Sequence, residues 1–177
     1  MNMEGKDYTV VFRSPDTKNV FAYSPSVLSF QGRILVSMDA GGPGVKDLEG
    51  GMKDGEVQNG RIYISDDGGK SFRFIKTFPF EHARLFADGD RVYIIGQLKD
   101  MKIIASDDGG ETWSEPSVLT EDGAYHGAPT NVIRHNGYIY MAFENDMHRD
   151  VTTWNVSALS PVVLKAKEGS DLTKREN

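Results

Sequence analysis

The sequence predicts an all-β protein. Apolar residues mostly alternate with polar ones in short segments, and this period of two is typical of strands. Tight-turn pairs such as Asn59-Gly60 and Asn136-Gly137 separate the segments. The octets SDDGGKSF and SDDGGETW begin at residues 65 and 106, so an Asp/Gly-rich turn recurs after 41 residues. No convincing amphipathic helix precedes Val162.

The strand segments fall into a repeating unit. The clearest segments are Arg33–Met38, Arg61–Ser65, Arg91–Gly96, Lys102–Ser106 and Tyr138–Phe143. Each unit reads as strand, turn, strand, loop, strand, turn and strand, and four strands in roughly 40 residues is the spacing of a β-propeller blade. We therefore predict a partial β-propeller over residues 1–164, with about three four-stranded blades at 24–78, 82–119 and 126–164. A charged tail, frayed or weakly helical, is expected at 165–177.

The two octets predict a structural turn between the third and fourth strands of a blade. The aspartate of each octet accepts backbone N–H bonds, its second glycine adopts a left-handed backbone, and its final aromatic ring packs between sheets. The residues with these roles are Ser65, Asp67, Gly69, Phe72, Ser106, Asp108, Gly110 and Trp113. A calcium loop is the alternative, but the octets lack the distal carboxylate that such a loop needs.

Composition excludes several classes of function. The net charge of −6 argues against a nucleic-acid partner, because phosphate binding needs a basic face. The chain has no cysteine, so it forms no disulfide and no thiolate metal site. No apolar run has the ~18 residues of a membrane span, and the N-terminus has no signal-peptide pattern. We predict neither a metal nor a cofactor, and the compartment stays open.

The octets resemble the Asp-box, S-x-D-x-G-x-T-W, of the sialidase (neuraminidase) superfamily. The second octet matches every position, and the first ends in Ser71-Phe72 instead of Thr-Trp. Phe12-Arg13-Ser14-Pro15 is similar to the F-R-I-P motif of that superfamily, with Ser in place of Ile. The resemblance runs in blade order from about Tyr8 to Leu164.

The resemblance implies a six-bladed propeller that hydrolyses terminal sialic acid from glycans. In this family an arginine cluster binds the sugar carboxylate, and a tyrosine activated by a glutamate is the nucleophile. Arg13 matches the first arginine of the cluster, whereas the arginine that often follows the second strand is missing after Asp39. Because about three blades are visible, we expect the N-terminal half of such a protein with an incomplete site. Pairing of two copies to close the ring is the alternative.

The geometry of a propeller blade predicts which loops carry the candidate site residues. Loops between the second and third strands share one rim with the links between blades, and the octets lie on the opposite rim. We predict a catalytic acid or base at Asp39 and substrate-binding roles for Arg13, Arg84, His126 and Glu144, the last of which is expected at the position equivalent to Asp39 and Gly96. Each also has a structural interpretation, since Asp39 caps a Gly-rich turn in the simplest reading and the others belong to the surface. His148 lies between Asp146 and Asp150, but one loop alone does not predict a metal site.

Three hypotheses of function follow from these residues. The first is a glycoside hydrolase of the exo-α-sialidase type, with a sialoside as substrate. The second is a non-catalytic propeller that binds a glycan or a partner protein. The third is another Asp-box glycosidase that cleaves a neutral polysaccharide.

Overall fold

The computed structural model describes residues 8–121, 123, 125–127, 131–147 and 155–177. Within these residues the chain forms fourteen strands and two short 3-10 helices, at Val45–Asp47 and Asn155–Ala158. The strands are β1 (Phe21–Phe30), β2 (Arg33–Gly41), β3 (Met52–Lys53), β4 (Glu56–Val57), β5 (Gly60–Ser65), β6 (Arg73–Phe78), β7 (Glu81–Asp88), β8 (Arg91–Leu98), β9 (Asp100–Ser106), β10 (Ser117–Val118), β11 (Tyr125–His126), β12 (Ile133–His135), β13 (Tyr138–Asp146) and β14 (Leu159–Lys167). No helix in this part of the chain is long and apolar enough to cross a membrane.

The strands form three antiparallel sheets that succeed one another along the chain. The first sheet has the order β1-β2-β5-β6, and the second has the order β7-β8-β9-β10. In the third sheet β13 pairs with β14 on one side and with both β11 and β12 on the other. The strands β3 and β4 form a separate hairpin between β2 and β5.

The sheets pack face to face, so the fold is the predicted all-β partial propeller. Leu35, Ile62 and Ile64 of the first sheet meet Leu85 and Ile94 of the second in one buried cluster. The opposite face of the second sheet packs against the third in another cluster, which contains Phe86, Tyr93, Ile103, Ile139 and Met141. Each strand therefore buries alternate side chains on opposite faces, which is why the period of two runs through the sequence.

The outer face of the first sheet carries a third cluster. Met38, Ala40 and Tyr63 are buried there, with Val11 and Phe12 packed against them. The guanidinium of Arg61 lies 4.5 Å from the ring centroid of Phe74 and 5.7 Å from that of Phe12. The N-terminal segment thus covers apolar surface that a sheet of this kind would otherwise expose.

The SDDGG turns connect β5 to β6 and β9 to β10. In the second turn Oδ1 of Asp108 accepts bonds from Ser106 Oγ at 2.8 Å and from Thr112 N at 2.9 Å. Burial would raise the pKa of Asp108, but the bonds from Thr112 and Ser106 outweigh it and hold this pKa at about 2. The carboxylate thus remains ionised and closes the turn on itself.

The glycine at position 110 explains why the turn lies so close to the neighbouring sheet. Its φ is 98°, and a Cβ added there would lie 2.6 Å from a methyl carbon of Leu35. The indole N–H of Trp113 donates to the carbonyl of Gly110 at 2.8 Å, and its ring packs on the cluster between the first two sheets. The turn is therefore also a contact between sheets. The prediction was wrong for Phe72 of the first turn, whose ring packs on the outer face of the first sheet instead.

Ion pairs join the two SDDGG turns. Arg33 at the start of β2 contacts Asp66 at 2.8 Å and Glu111 at 2.9 Å. Arg73 contacts the same two carboxylates, Asp66 at 3.1 Å and Glu111 at 2.5 Å. These groups are partly exposed, and networks of this kind stabilise more than single surface pairs.

The chain after Leu164 differs from the prediction. The tail was expected to fray from Lys165, but β14 continues to Lys167 and the side chain of Leu172 is only 6% exposed. Asp171 pairs with Arg91 at 3.0 Å, which fastens the tail to the second sheet. The prediction was wrong because one apolar side chain in a charged segment fills the junction between the second and third sheets. The first two sheets also begin slightly earlier than predicted, at Phe21 and Glu81.

We predict that Asp108→Ala lowers the free energy of unfolding by about 2 kcal/mol, because it leaves the donors of the turn without an acceptor. Urea unfolding followed by circular dichroism measures the change. Asp90→Ala is the matched control, since Asp90 is exposed in the turn between β7 and β8; it should shift the value by no more than about 0.5 kcal/mol. Equal losses in both variants would show that Asp108 does not hold the turn.

Candidate functional site

Seven polar side chains from all three sheets lie together at one rim of the propeller. Strands β1, β7 and β11 begin at this rim and β2, β8 and β13 end there, whereas the SDDGG turns lie at the opposite ends of the sheets. We call these side chains the rim cluster: Tyr23, Asp39, Glu81, His82, Gln97, His126 and Glu144. Contacts described below link them in an unbroken series.

The same strand register recurs in each sheet at this rim. Tyr23 pairs with Asp39, Glu81 pairs with Gln97, and Tyr125 pairs with Asn145. The polar partners Asp39, Gln97 and Asn145 are all buried. Their equivalence corrects the expectation that Glu144 and Gly96 occupy the position of Asp39, since both lie one residue earlier and face the other side of their sheets.

A β-bulge follows Tyr23 in β1, and another follows Glu81 in β7. The register shifts between Tyr23 and Ser26, and again between Glu81 and Arg84. Ser24 and His82 occupy the bulges with positive φ values of 49° and 52°. A non-glycine residue in this region is strained, and bulges of this kind re-aim side chains at functional sites.

Tyr23 and Glu81 form a hydrogen-bonded pair across the first and second sheets. The Tyr23 hydroxyl donates to Oε2 of Glu81 at 3.0 Å, and both side chains are half-buried. Burial and the negative charge of Glu81 raise the pKa of Tyr23, so the phenol is neutral near pH 7. A Cβ added at Gly41 would lie 2.8 Å from the Tyr23 ring, so glycine there lets the ring lie on β2.

Asp39 lies beneath this pair and has no exposed surface. Its Oδ2 accepts the backbone N–H of His82 at 2.7 Å, a bond that joins the two sheets at the bulge. Burial raises the pKa of Asp39 to about 7, and the charge of Glu81 adds to the rise although the bond from His82 opposes it. The proposed acid or base role would require substrate contact, whereas in this structure Asp39 reaches the rim surface only through His82.

The His82 ring lies at the centre of the cluster. Its Nδ1 is 3.0 Å from Nε2 of Gln97, and because the amide nitrogen donates, Nδ1 accepts and the ring proton of neutral His82 lies on Nε2. Burial lowers the pKa of His82, and nearby His126 lowers it further against the opposing effect of Glu81. The ring centroid is 5.2 Å from that of His126 and 6.2 Å from that of Tyr23.

His126 and Glu144 face each other on adjacent strands of the third sheet. Nδ1 of His126 is 2.8 Å from Oε2 of Glu144, and about half of the His126 side chain is exposed. A carboxylate on one ring nitrogen orients a histidine and leaves the other nitrogen available for proton transfer. This pair is the most accessible acid–base group of the rim cluster.

The structure brings together three of the five predicted site residues. Asp39, His126 and Glu144 belong to the rim cluster, and their roles remain predictions. Arg84 lies farther along β7 and lines a separate groove between inner strands. Arg13 is exposed, forms no hydrogen bond or ion pair with other described residues, and follows Phe12 on the outer face of the first sheet.

Sequence reasoning missed Tyr23 as a site residue. A signal for it exists, because Tyr23 precedes Asp39 by 16 residues and Glu81 precedes Gln97 by the same interval. This shared spacing marks the same hairpin in two sheets and so places Tyr23 opposite Asp39.

Metal binding finds no support in the described ranges. No group of three or more His, Asp or Glu side chains in them could hold a metal ion. His148 and Asp150 lie outside the described residues.

The chain matches no family model and no curated protein, but solved structures share its fold. A family 117 glycoside hydrolase of the marine bacterium Zobellia galactanivorans superposes with a TM-score of 0.59 and 10% identity over 96% of this chain and 59% of that one. The α-L-arabinanase of Penicillium chrysogenum gives 0.55 and 15% over 92% of this chain and 48% of that one. For the phage phi92 endosialidase the values are 0.50 and 12% over 84% of this chain and 27% of that one.

These neighbours are glycoside hydrolases, and at such identities the likeness is one of fold. The chain spans only 27% to 59% of the lengths of these three structures.

We predict that Asp39→Asn makes stability less dependent on pH. The pKa of Asp39 is about 7 when folded and about 4 when unfolded, so the folded state binds more protons between these values. Its contribution to the free energy of unfolding therefore falls as the pH rises through this window. The variant keeps an oxygen that accepts from His82, and its stability relative to wild type should rise from about pH 4 to pH 7.

Urea unfolding of both proteins at several pH values measures this difference. The lowered pKa of His82 acts in both proteins, so the comparison isolates Asp39. Asp90→Asn, at an exposed site, should show a constant difference from wild type. A constant difference for Asp39→Asn as well would contradict the buried titration.

Proposed function

We propose that the rim cluster belongs to a carbohydrate-cleaving site of the glycoside-hydrolase type, with Tyr23 as the nucleophile. The observation that carries this proposal is the 3.0 Å hydrogen bond from the Tyr23 hydroxyl to Glu81 at a rim shared by three sheets. A nucleophile within hydrogen-bond reach of a base is the arrangement that covalent catalysis requires. The fold likeness to glycoside hydrolases supports the same class of reaction.

The proposed reaction begins with attack of the Tyr23 oxygen on the anomeric carbon of a bound sugar. Glu81 accepts the phenolic proton as the bond forms, which suits a phenol that stays neutral at rest. A neutral phenol is a weak nucleophile until that proton leaves, so the carboxylate must act in the same step. Tyrosine nucleophiles of this kind are an exception among glycosidases, most of which use two carboxylates.

The leaving group needs a proton, and His126 is the group we propose to supply it. Glu144 accepts from Nδ1 of His126 and orients the ring, which leaves Nε2 free to face the leaving group. After the aglycone departs, the same imidazole takes a proton from a water whose oxygen attacks the anomeric carbon. The bond from the sugar to Tyr23 then breaks, and Glu81 returns its proton to the Tyr23 oxygen. Glu144 thus acts through His126 as a positioning residue.

Asp39 is a positioning residue in this scheme and does not touch the sugar. It holds the backbone of His82, and the His82 ring lies between the Tyr23 and His126 rings. The position of His82 therefore sets the distance between Tyr23 on the first sheet and His126 on the third.

For the substrate we propose, more specifically, a terminal sialoside. Support comes from the two octets and from the fold likeness to an endosialidase, whereas Arg13 of the F-R-S-P segment lies outside the rim cluster. A neutral sugar is the second candidate, because no member of the rim cluster is a lysine or arginine that would bind a sugar carboxylate. Glycan binding without cleavage is the outcome if the cluster binds sugar but turns none over.

We predict that Tyr23→Phe lowers the hydrolysis rate by about 1000-fold or more while sugar binding changes little, because the ring remains and only the attacking oxygen is lost. Glu81→Gln keeps a hydrogen-bond acceptor for Tyr23 but cannot take its proton, and a comparable loss is expected. Release of umbelliferone from umbelliferyl sialosides and arabinofuranosides measures the rate, and calorimetry measures binding.

Tyr138→Phe is the matched control, since Tyr138 is exposed on the third sheet beneath Lys165. Its rate should equal that of wild type. Full activity of Tyr23→Phe would remove Tyr23 as the nucleophile, and wild-type binding without turnover would establish the non-catalytic alternative.

A further inference from the structure

A groove between the inner strands holds two arginines and lacks any acidic residue. It has a volume of about 500 Å³ and is lined by β1, β7 and the segment at 131–134. Its lining includes Val27, Leu28, Arg84, Phe86, Asn131 and Arg134. The groove is distinct from the rim cluster, none of whose members lines it.

Arg84 is unusual among the arginines that the structure describes. It is half-buried, its Nε is buried without a hydrogen-bond partner, and no described carboxylate pairs with it. Arg33, Arg61, Arg73, Arg91, Arg134 and Arg175 all contact a carboxylate, a hydroxyl or a backbone oxygen. Arg13 also lacks such a contact, but water solvates it because it is exposed.

An unpaired, half-buried guanidinium opposes folding. Burial lowers the pKa of Arg84, yet an arginine stays charged in proteins, so the cost of desolvation is not relieved by loss of a proton. Native proteins satisfy such groups or use them, and an unsatisfied one is a candidate for ligand binding. An oxyanion would satisfy it, because carboxylate, sulfate and phosphate accept two parallel N–H bonds from one guanidinium.

The rest of the groove suits an apolar body attached to that oxyanion. Val27 and Ile133 expose large apolar surfaces, and Leu28, Phe86 and Val132 add to the walls. Arg134 on the β12 wall pairs with Glu168, its Nε 3.5 Å from that carboxylate, and donates to the carbonyl of Ala87. The unpaired positive charge of the groove is therefore that of Arg84. The volume of the groove lies in the range of small-molecule sites, and its lining offers both apolar and polar side chains.

We infer that this groove binds a small organic anion, with its oxyanion on Arg84 and its apolar part between β1 and β12. The inference goes beyond the proposed hydrolysis and does not depend on it.

Phenyl phosphate is the probe for this site, tested on the full chain by calorimetry and by thermal unfolding. We expect wild type to bind it and to gain thermal stability in its presence. Arg84→Met should lower the affinity by about tenfold or more, since charge-assisted hydrogen bonds are lost. The unliganded variant should melt at the same temperature as wild type or higher, because an unpaired charge is removed.

Two controls make the test specific. Arg13→Met removes an exposed, unpaired arginine outside the groove and should bind phenyl phosphate like wild type. Benzyl alcohol lacks the anion and inorganic phosphate lacks the ring, so both should bind more weakly than phenyl phosphate.

Three binding results would overturn the inference. They are no binding to wild type, equal affinity of Arg84→Met and wild type, and inorganic phosphate binding as tightly as phenyl phosphate. A lower melting temperature of unliganded Arg84→Met would overturn it too, by showing that Arg84 stabilises the fold through contacts of its own. Arg84→Lys, which keeps the charge but loses the paired donors, should bind with intermediate affinity.

Discussion

The hydrogen bond from the backbone N–H of His82 to the buried carboxylate of Asp39 sets the geometry of the whole rim. It fastens the start of β7 to the end of β2 and fixes the bulge that carries His82. A second bond, from the backbone of Leu85 to Ser26 Oγ, repeats the connection deeper in the same interface. Because a carboxylate without partners is very costly to bury, its bond also selects one relative position of the two sheets.

The two ends of the sheets carry different kinds of polar structure. At the SDDGG end, Asp67 and Asp108 are satisfied within their own turns, and the ion pairs of Arg33 and Arg73 connect one turn to the next. At the other rim, Tyr23, His82 and Asp39 find their partners in a neighbouring sheet. The first arrangement is local and stabilises the fold, whereas the second brings side chains together from distant parts of the chain.

This difference explains what the sequence predicts well. The strands and turns follow from alternation and from short motifs, so the three sheets and both SDDGG turns are visible without a structure. The contact between Tyr23 and Glu81 joins residues 58 positions apart and depends on two bulges. Those bulges are invisible in the sequence because Ser24 and His82, rather than glycines, adopt positive φ.

A shift of one residue along a strand also matters, because it moves a side chain to the other face of the sheet. The predicted equivalence of Asp39 with Glu144 was only one residue from the observed one with Asn145, yet one residue changes the face of the strand. Leu172 was missed for a different reason. Its neighbours in the sequence are charged, and only its position at the junction between two sheets explains its burial. Local composition carries no information on such a junction.

Each sheet is built from one continuous stretch of chain, and this order has a consequence during synthesis on the ribosome. Residues 21–78 contain all four strands of the first sheet, so its pairings can form before the second sheet has been translated. The face of this sheet that carries Leu35 and Ile62 then stays exposed until Leu85 and Ile94 of the second sheet cover it. Each new sheet can therefore pack against a sheet that has already formed. At any stage of synthesis, the apolar surface that could associate wrongly is limited to one sheet face.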